Sequence, residues 1–221
     1  MADLSKNFMS FVALGSQNPQ ILNVDFLKRE KIVPIDQPPF NTLFQQKKPF
    51  SKFISTPVLS NLVLDTIEFI IDEQRFQIRD KSVADWIDTK ILHIAQKYFE
   101  ILKYTPLKVV GINMNSKITF STSKEEETFQ SLFLMQESKI VQVLSKSNIL
   151  ASTVLRYAYS DNGGRIALTI EQPKKINNER IVNFNYEFDF TDWKNFKSEL
   201  TKFPDVPKYC DSVLNQLLEA I

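Results

Sequence analysis

The chain holds very few of the residues on which side-chain chemistry at neutral pH most often depends. Its 221 residues include one histidine (His93), one cysteine (Cys210) and four glycines (Gly15, Gly111, Gly163 and Gly164). Histidine is the side chain whose ordinary pKa lies nearest neutrality. His93 sits between Leu92 and Ile94, with no Ser, Cys or second His placed to form a nucleophile pair or a metal site. A single cysteine excludes an intrachain disulfide and a zinc pattern, and reads as a small buried hydrophobe. The glycines form no phosphate-cradling loop. No run of about eighteen apolar residues occurs, which excludes a transmembrane helix. The apolar stretch Phe8–Leu14 lacks a basic segment before it and a small-residue cleavage site after it. No signal peptide is expected, and a cytoplasmic location follows. Charge is balanced, 27 basic against 26 acidic residues, so no global field steers the chain to nucleic acid or to an anionic membrane.

What the chain does have is apolar mass. Hydrophobic residues make up 43% and eighteen residues are phenylalanine, enough to bury a core and to exclude disorder over most of the length. Residues Ser10–Gly15 and Ile21–Leu27 read as short strands. In the second, Leu22, Val24 and Phe26 alternate with Asn23 and Asp25. These strands make an N-terminal segment, 1–33. Pro34, Pro38, Pro39, Pro49 and Pro57 then fall too densely for a helix or a central strand. Residues 34–56 are accordingly expected to form an extended arm or loop.

Residues 57–221 read as an α+β body. A hairpin spans Leu59–Arg79, with its turn at Asp72–Gln74. A helix follows from Ser82, with Asp85 in a capping-box position, to about Leu102; its stripe is Val83, Ile87, Ile91, Ile94, Tyr98 and Leu102. A strand covers 108–120. Ser123 and Glu126 form a second capping box for a helix to about Met135. A short strand at Ile140–Leu144 is expected, then a hairpin of Ser152–Tyr159 and Arg165–Gln172 about Asn162-Gly163-Gly164. The clearest strand is Ile181–Phe190, where Val182, Phe184, Tyr186, Phe188 and Phe190 alternate with polar residues. Helices from Asp192 and from Asp205 to Ile221 close the chain. The order β-β-α-β and then α-β-β-β-α predicts an antiparallel sheet, or sheets, with helices packed on one face. It forms one compact unit, with 57–121 and 122–221 as two related halves.

Several residue groups invite a functional reading. Phe40, Phe44, Phe50 and Phe53 on the arm are candidates for contact with another chain. Val213, Leu217 and Ile221 on the last helix are candidates too, because Val206, Cys210, Val213, Leu217 and Ala220 fit a heptad seam. Lys28, Arg29, Lys31, Lys47, Lys48 and Lys52 stand against Glu30 and Asp36 and are interleaved with the arm phenylalanines. This pattern suits stacking of bases beside neutralised phosphates. Lys174, Lys175 and Arg180 make a second basic group. The carboxylate pairs Asp85/Asp88 and Glu187/Asp189 have the chemistry to hold a cation. Asp192-Trp193-Lys194 has the acid-x-Lys spacing of metal-dependent nucleases, but Thr191 and Asp192 read better as a helix start.

The segment Val109-Val110-Gly111-Ile112-Asn113 and the aromatic strand Phe184–Phe190 with its C-terminal helix pair resemble a sporadically distributed bacterial family of uncharacterised α+β proteins. The resemblance spans roughly residues 58–221 and rests on element order, with Gly111 as its motif position. The basic residue expected after that glycine is replaced by Ile112-Asn113. It implies an α+β order and carries no function or site. The expectation from the residues themselves is a non-enzymatic module, without cofactor or metal, that binds another protein or a second copy of itself. The alternatives are nucleic-acid binding through the arm and an apolar-ligand carrier in which the sheet grips a helix.

Overall fold

The computed structural model describes residues 2–38, 40–47, 49–82, 85–133, 154–161, 164–171 and 178–220. Among these residues nine strands build one sheet: β1 (Asp3–Gly15), β2 (Lys52–Ser55), β3 (Leu59–Leu64), β4 (Ile67–Asp72), β5 (Arg75–Asp80), β6 (Leu107–Thr119), β7 (Val154–Asp161), β8 (Gly164–Glu171) and β9 (Glu179–Asp189). The helices are α1 (Val24–Arg29), α2 (Phe40–Leu43), α3 (Ile91–Ile101), α4 (Ser123–Phe133), α5 (Trp193–Lys202) and α6 (Asp205–Glu219). The sheet order is β2-β3-β4-β5-β1-β6-β9-β8-β7, and every pairing is antiparallel.

Apart from β2, that order is symmetric about the junction of β1 and β6. Outward from β1 come β5, β4 and β3; outward from β6 come β9, β8 and β7. On each side one long central strand leads through a helical segment into a three-stranded meander and then into a helix. The backbone closures match as well. The Gly15 N–H donates to Gln74 O beside the β4–β5 turn (2.9 Å), and the Phe120 N–H donates to Asn178 O before β9 (2.8 Å). Strand order therefore groups β6 with β7–β9 and β1 with β3–β5, whereas halves at 57–121 and 122–221 would place β6 with the first meander.

Alternation gives the sheet one apolar face. Met9, Phe11 and Ala13 on β1, Phe76 and Ile78 on β5, Val110, Ile112 and Met114 on β6, and Phe184, Tyr186 and Phe188 on β9 are all buried. Register joins them: Phe11 lies opposite Ile78 and Ile112, and Ile112 opposite Tyr186. Helices cover this face. Phe99 of α3 meets Phe76 at 5.0 Å and Phe11 at 6.1 Å. Phe203, after α5, meets Phe11, Tyr186 and Phe188 within 6.1 Å. Such tilted and edge-to-face contacts add to the burial of the rings themselves.

Several expectations need correction. Ile21–Leu27 is not a strand. Asn23 Oδ1 accepts the Phe26 N–H (2.7 Å) and starts α1, with Asp25 in the first turn and Lys28 and Arg29 in the last; these charges favour a helix dipole. The hairpin at Leu59–Arg79 is a three-stranded meander, turned first at Asp65 with a positive φ of 53°. The arm is not uniformly extended: it folds into the single turn α2 and the edge strand β2. The helix expected from Ser82 starts later. Asp85 caps a 3-10 turn at Trp86–Asp88, and α3 begins at Ile91. The α4 cap is one residue early, with Thr122 accepting from Glu125 N–H (3.2 Å) and Glu125 accepting from Ser121 N–H (2.9 Å). The strand expected at Ile140–Leu144 lies outside the described residues.

Candidate interaction surfaces

The arm phenylalanines divide by burial. Phe40 is fully buried, with Phe44 stacked on it at 6.3 Å and packed against the core. Phe50 is half-buried and meets Phe53 edge-on at 5.7 Å. The arm therefore drapes over its own core for most of its length. Residues 52–55 do not. Lys52, Phe53, Ile54 and Ser55 form β2, all exposed, at one end of the sheet. Phe53 is 37% exposed and Ile54 44%; around the following turn Val58 is 58% and Leu59 39% exposed. An edge strand carries outward N–H and C=O groups that pair readily with another strand. Here that edge is apolar as well, and Lys52 is its single charge.

Of the basic candidates, Lys52 stands beside the exposed ring of Phe53 on β2. Lys28, Arg29, Lys31, Lys47 and Lys52 are exposed, and Arg29 pairs with Glu30 (2.8 Å). Lys48 lies outside the described residues, as do Lys174 and Lys175. The rings between these cations, Phe40 and Phe44, point into the protein. Arg180 also turns inward, bonded to Glu126 beneath α4 and 5.7 Å from the Phe120 ring.

On α6 the buried positions are Val206, Pro207, Cys210 and Leu214, while Val213 and Leu217 are half-buried against the core. Ile221 lies outside the described residues. The apolar strip thus packs inward along its centre and leaves a narrow margin. Burial, and then the neighbouring Asp211 carboxylate, push the Cys210 thiol far up, so it stays protonated.

The carboxylate candidates are engaged. Arg165 bonds both Glu187 (3.2 Å) and Asp189 (3.1 Å). Asp192 accepts the Asn195 N–H as the cap of α5. Asp85 and Asp88 do not act together. Asp85 instead shares Lys6 (3.1 Å) with Asp211 (2.8 Å), and Lys6 lies 5.0 Å from the Trp86 ring. The Ile87 N–H, followed by Lys6, holds Asp85 below the usual carboxylate range, while burial pushes Asp211 up. This cluster ties β1 to α6. Among the described residues no three His, Cys, Asp or Glu side chains are grouped to hold a metal ion, and no helix is long and apolar enough to cross a membrane.

The face of the sheet opposite α3 and α5 carries, among the described residues, a polar row across its centre that adds Asn7 and Asn115 to the polar positions read in β9. Asn7 donates to Asn115 Oδ1 (2.6 Å), Asn115 donates to Asn183, and Asn185 donates to Glu187 (3.2 Å). The signal was visible as the polar half of the alternation in β6 and β9. Its partners were not, because they lie in β1. Compared with known proteins, the chain matches no family model and no curated protein.

Proposed function

We propose that this protein works by binding polypeptide through strand addition at the β2 edge, and that its first partner is a second copy of the chain. The observation that carries this reading is the exposed apolar quartet Phe53, Ile54, Val58 and Leu59 at the end of a nine-stranded antiparallel sheet. Isolated surface hydrophobes are ordinary, but four together on an edge strand and its following turn favour association.

The strand is self-complementary. Phe53 lies opposite Leu62 and so on the helix-bearing face. Antiparallel pairing about a two-fold axis at Phe53 sets the two Phe53 rings side by side there, flanked by Phe50. Each Lys52 then faces an Ile54, and no two lysines lie directly opposite. A four-residue pairing is small against the roughly 800 Å² per partner of a standard interface, so the expected complex is weak.

Light scattering over a hundredfold concentration range tests this. The chain should shift from 25.7 kDa towards twice that mass. The Ile54→Lys variant, at an exposed position, should stay monomeric with an unchanged melting temperature. A wild-type protein that remains monomeric throughout would remove the self-association reading.

A further inference from the structure

The cluster around Lys6 holds more acid than base, and it lies apart from the β2 edge. The Lys6 ammonium bonds Asp85, the cap of the 3-10 turn, at 3.1 Å and Asp211 of α6 at 2.8 Å. The side chains of Lys6 and Asp211 are only 14% and 18% exposed. The fully buried Trp86 ring lies 5.0 Å from the ammonium. One positive charge thus faces two carboxylates where water has little access. Repulsion between two such carboxylates is relieved when they hold one proton between them.

Asp211 is the member that suits the proton. Its Oδ2 accepts from Lys6, but its Oδ1 is buried and has no hydrogen-bond partner among the described residues. A buried anionic oxygen without a donor is costly. Asp85 is better served as an anion, because its Oδ1 accepts the Ile87 N–H as well as Lys6. The Asp85 carboxylate lies within hydrogen-bonding reach of Asp211. The charged groups that face Asp211 are these two, Lys6 from β1 and Asp85 from the turn. Its neighbour on α6, Cys210, is buried and stays protonated.

We infer that Asp85 and Asp211 share one proton beside Lys6, and that this pair latches α6 to β1 and the 3-10 turn more firmly as the solution becomes acidic. Asp211 is the donor of the pair and Asp85 the acceptor. Burial, with the Asp85 charge added to it, holds the Asp211 carboxyl above the usual aspartate range against the pull of Lys6. The folded chain therefore keeps a proton that the unfolded chain releases. Its contribution to stability grows as pH falls through the folded value and is complete below the ordinary one. Asp85, held low, stays ionised across that window.

Hydrogen exchange on the full chain, expressed as protection factors, tests the latch. Protection of residues 210–216 should rise several-fold from pH 7 to pH 4 relative to β6. Asp211→Asn keeps an oxygen for Lys6 and supplies an N–H for Asp85. At pH 7 it should already match the wild type at pH 4, and its protection should no longer vary with pH. Wild-type α6 protection indifferent to pH would overturn the inference, and so would an undiminished pH response in Asp211→Asn. If that variant does not fold, the carboxyl carbon of Asp211 in the wild type decides by NMR. Titration above the ordinary aspartate value supports the shared proton, and titration at or below it overturns the inference.

Discussion

Gly111 lies where the backbone of β6 packs tightly beside β9. A Cβ there would sit 2.5 Å from Tyr186 O and 3.2 Å from Glu187 Cα, contacts that backbone atoms cannot relieve without moving the strands. Gly111→Ala is therefore expected to destabilise the fold by about 1–3 kcal/mol, the usual range for overpacking, read as a lower urea midpoint. The position noticed by resemblance thus has a steric reason of its own. Glu68, on the face of the sheet opposite α3, illustrates charge at the same scale. Burial alone would raise its pKa, but the Lys81 ammonium (2.8 Å), the Asn61 amide (3.2 Å) and Arg79 together bring it below the ordinary value. A carboxylate depressed in the folded state stabilises above its unfolded pKa and loses that contribution as pH falls through the folded one. Melting temperature should drop as pH falls from 5 towards 3, and Glu68→Gln should start lower at pH 7, by about 1 kcal/mol, with a shallower acid limb.

Helices and strands differ in how openly the chain announces them. β9 was legible because five alternating apolar positions can be satisfied only by a half-buried strand. α1 was not, because Leu22, Val24 and Phe26 alternate too. There Asn23 decides the outcome by capping Phe26, a local hydrogen bond that outweighs a three-residue pattern. The arm reads as loop from its prolines, yet α2 lies before Pro49 and β2 between Pro49 and Pro57, where the chain is free to bond. On α6 the apolar strip was plain, but which residues face inward depends on where the helix lands. Leu214 is fully buried and Val213 only partly so. Leu214→Ala should cost about 2–4 kcal/mol, and Val213→Ser under about 1 kcal/mol, in parallel denaturation curves. Equal losses would mean that Val213 is as deeply packed as its neighbour.

For the whole molecule, period-two patterning tells which face a residue takes and not which strand lies beside it. β1 and β6 are about a hundred residues apart and pair along nearly their full lengths, and nothing local to either sequence specifies that match. The symmetric strand order and the position of β2 at the rim are consequences of such long-range pairings. This is why the arm was recognised as an interaction candidate while the part of it left available, Phe53 and Ile54, was not separated from the buried Phe40. The edge is also what gives the molecule its proposed role. Pairing of two β2 strands would bond the outward amides of Phe53 and Ser55, so hydrogen exchange at these two residues reports on it. The account predicts that protection of these amides rises with protein concentration and disappears in Ile54→Lys, whereas β1 and β6 stay unchanged. Exchange at β2 that is fast and indifferent to concentration would contradict it.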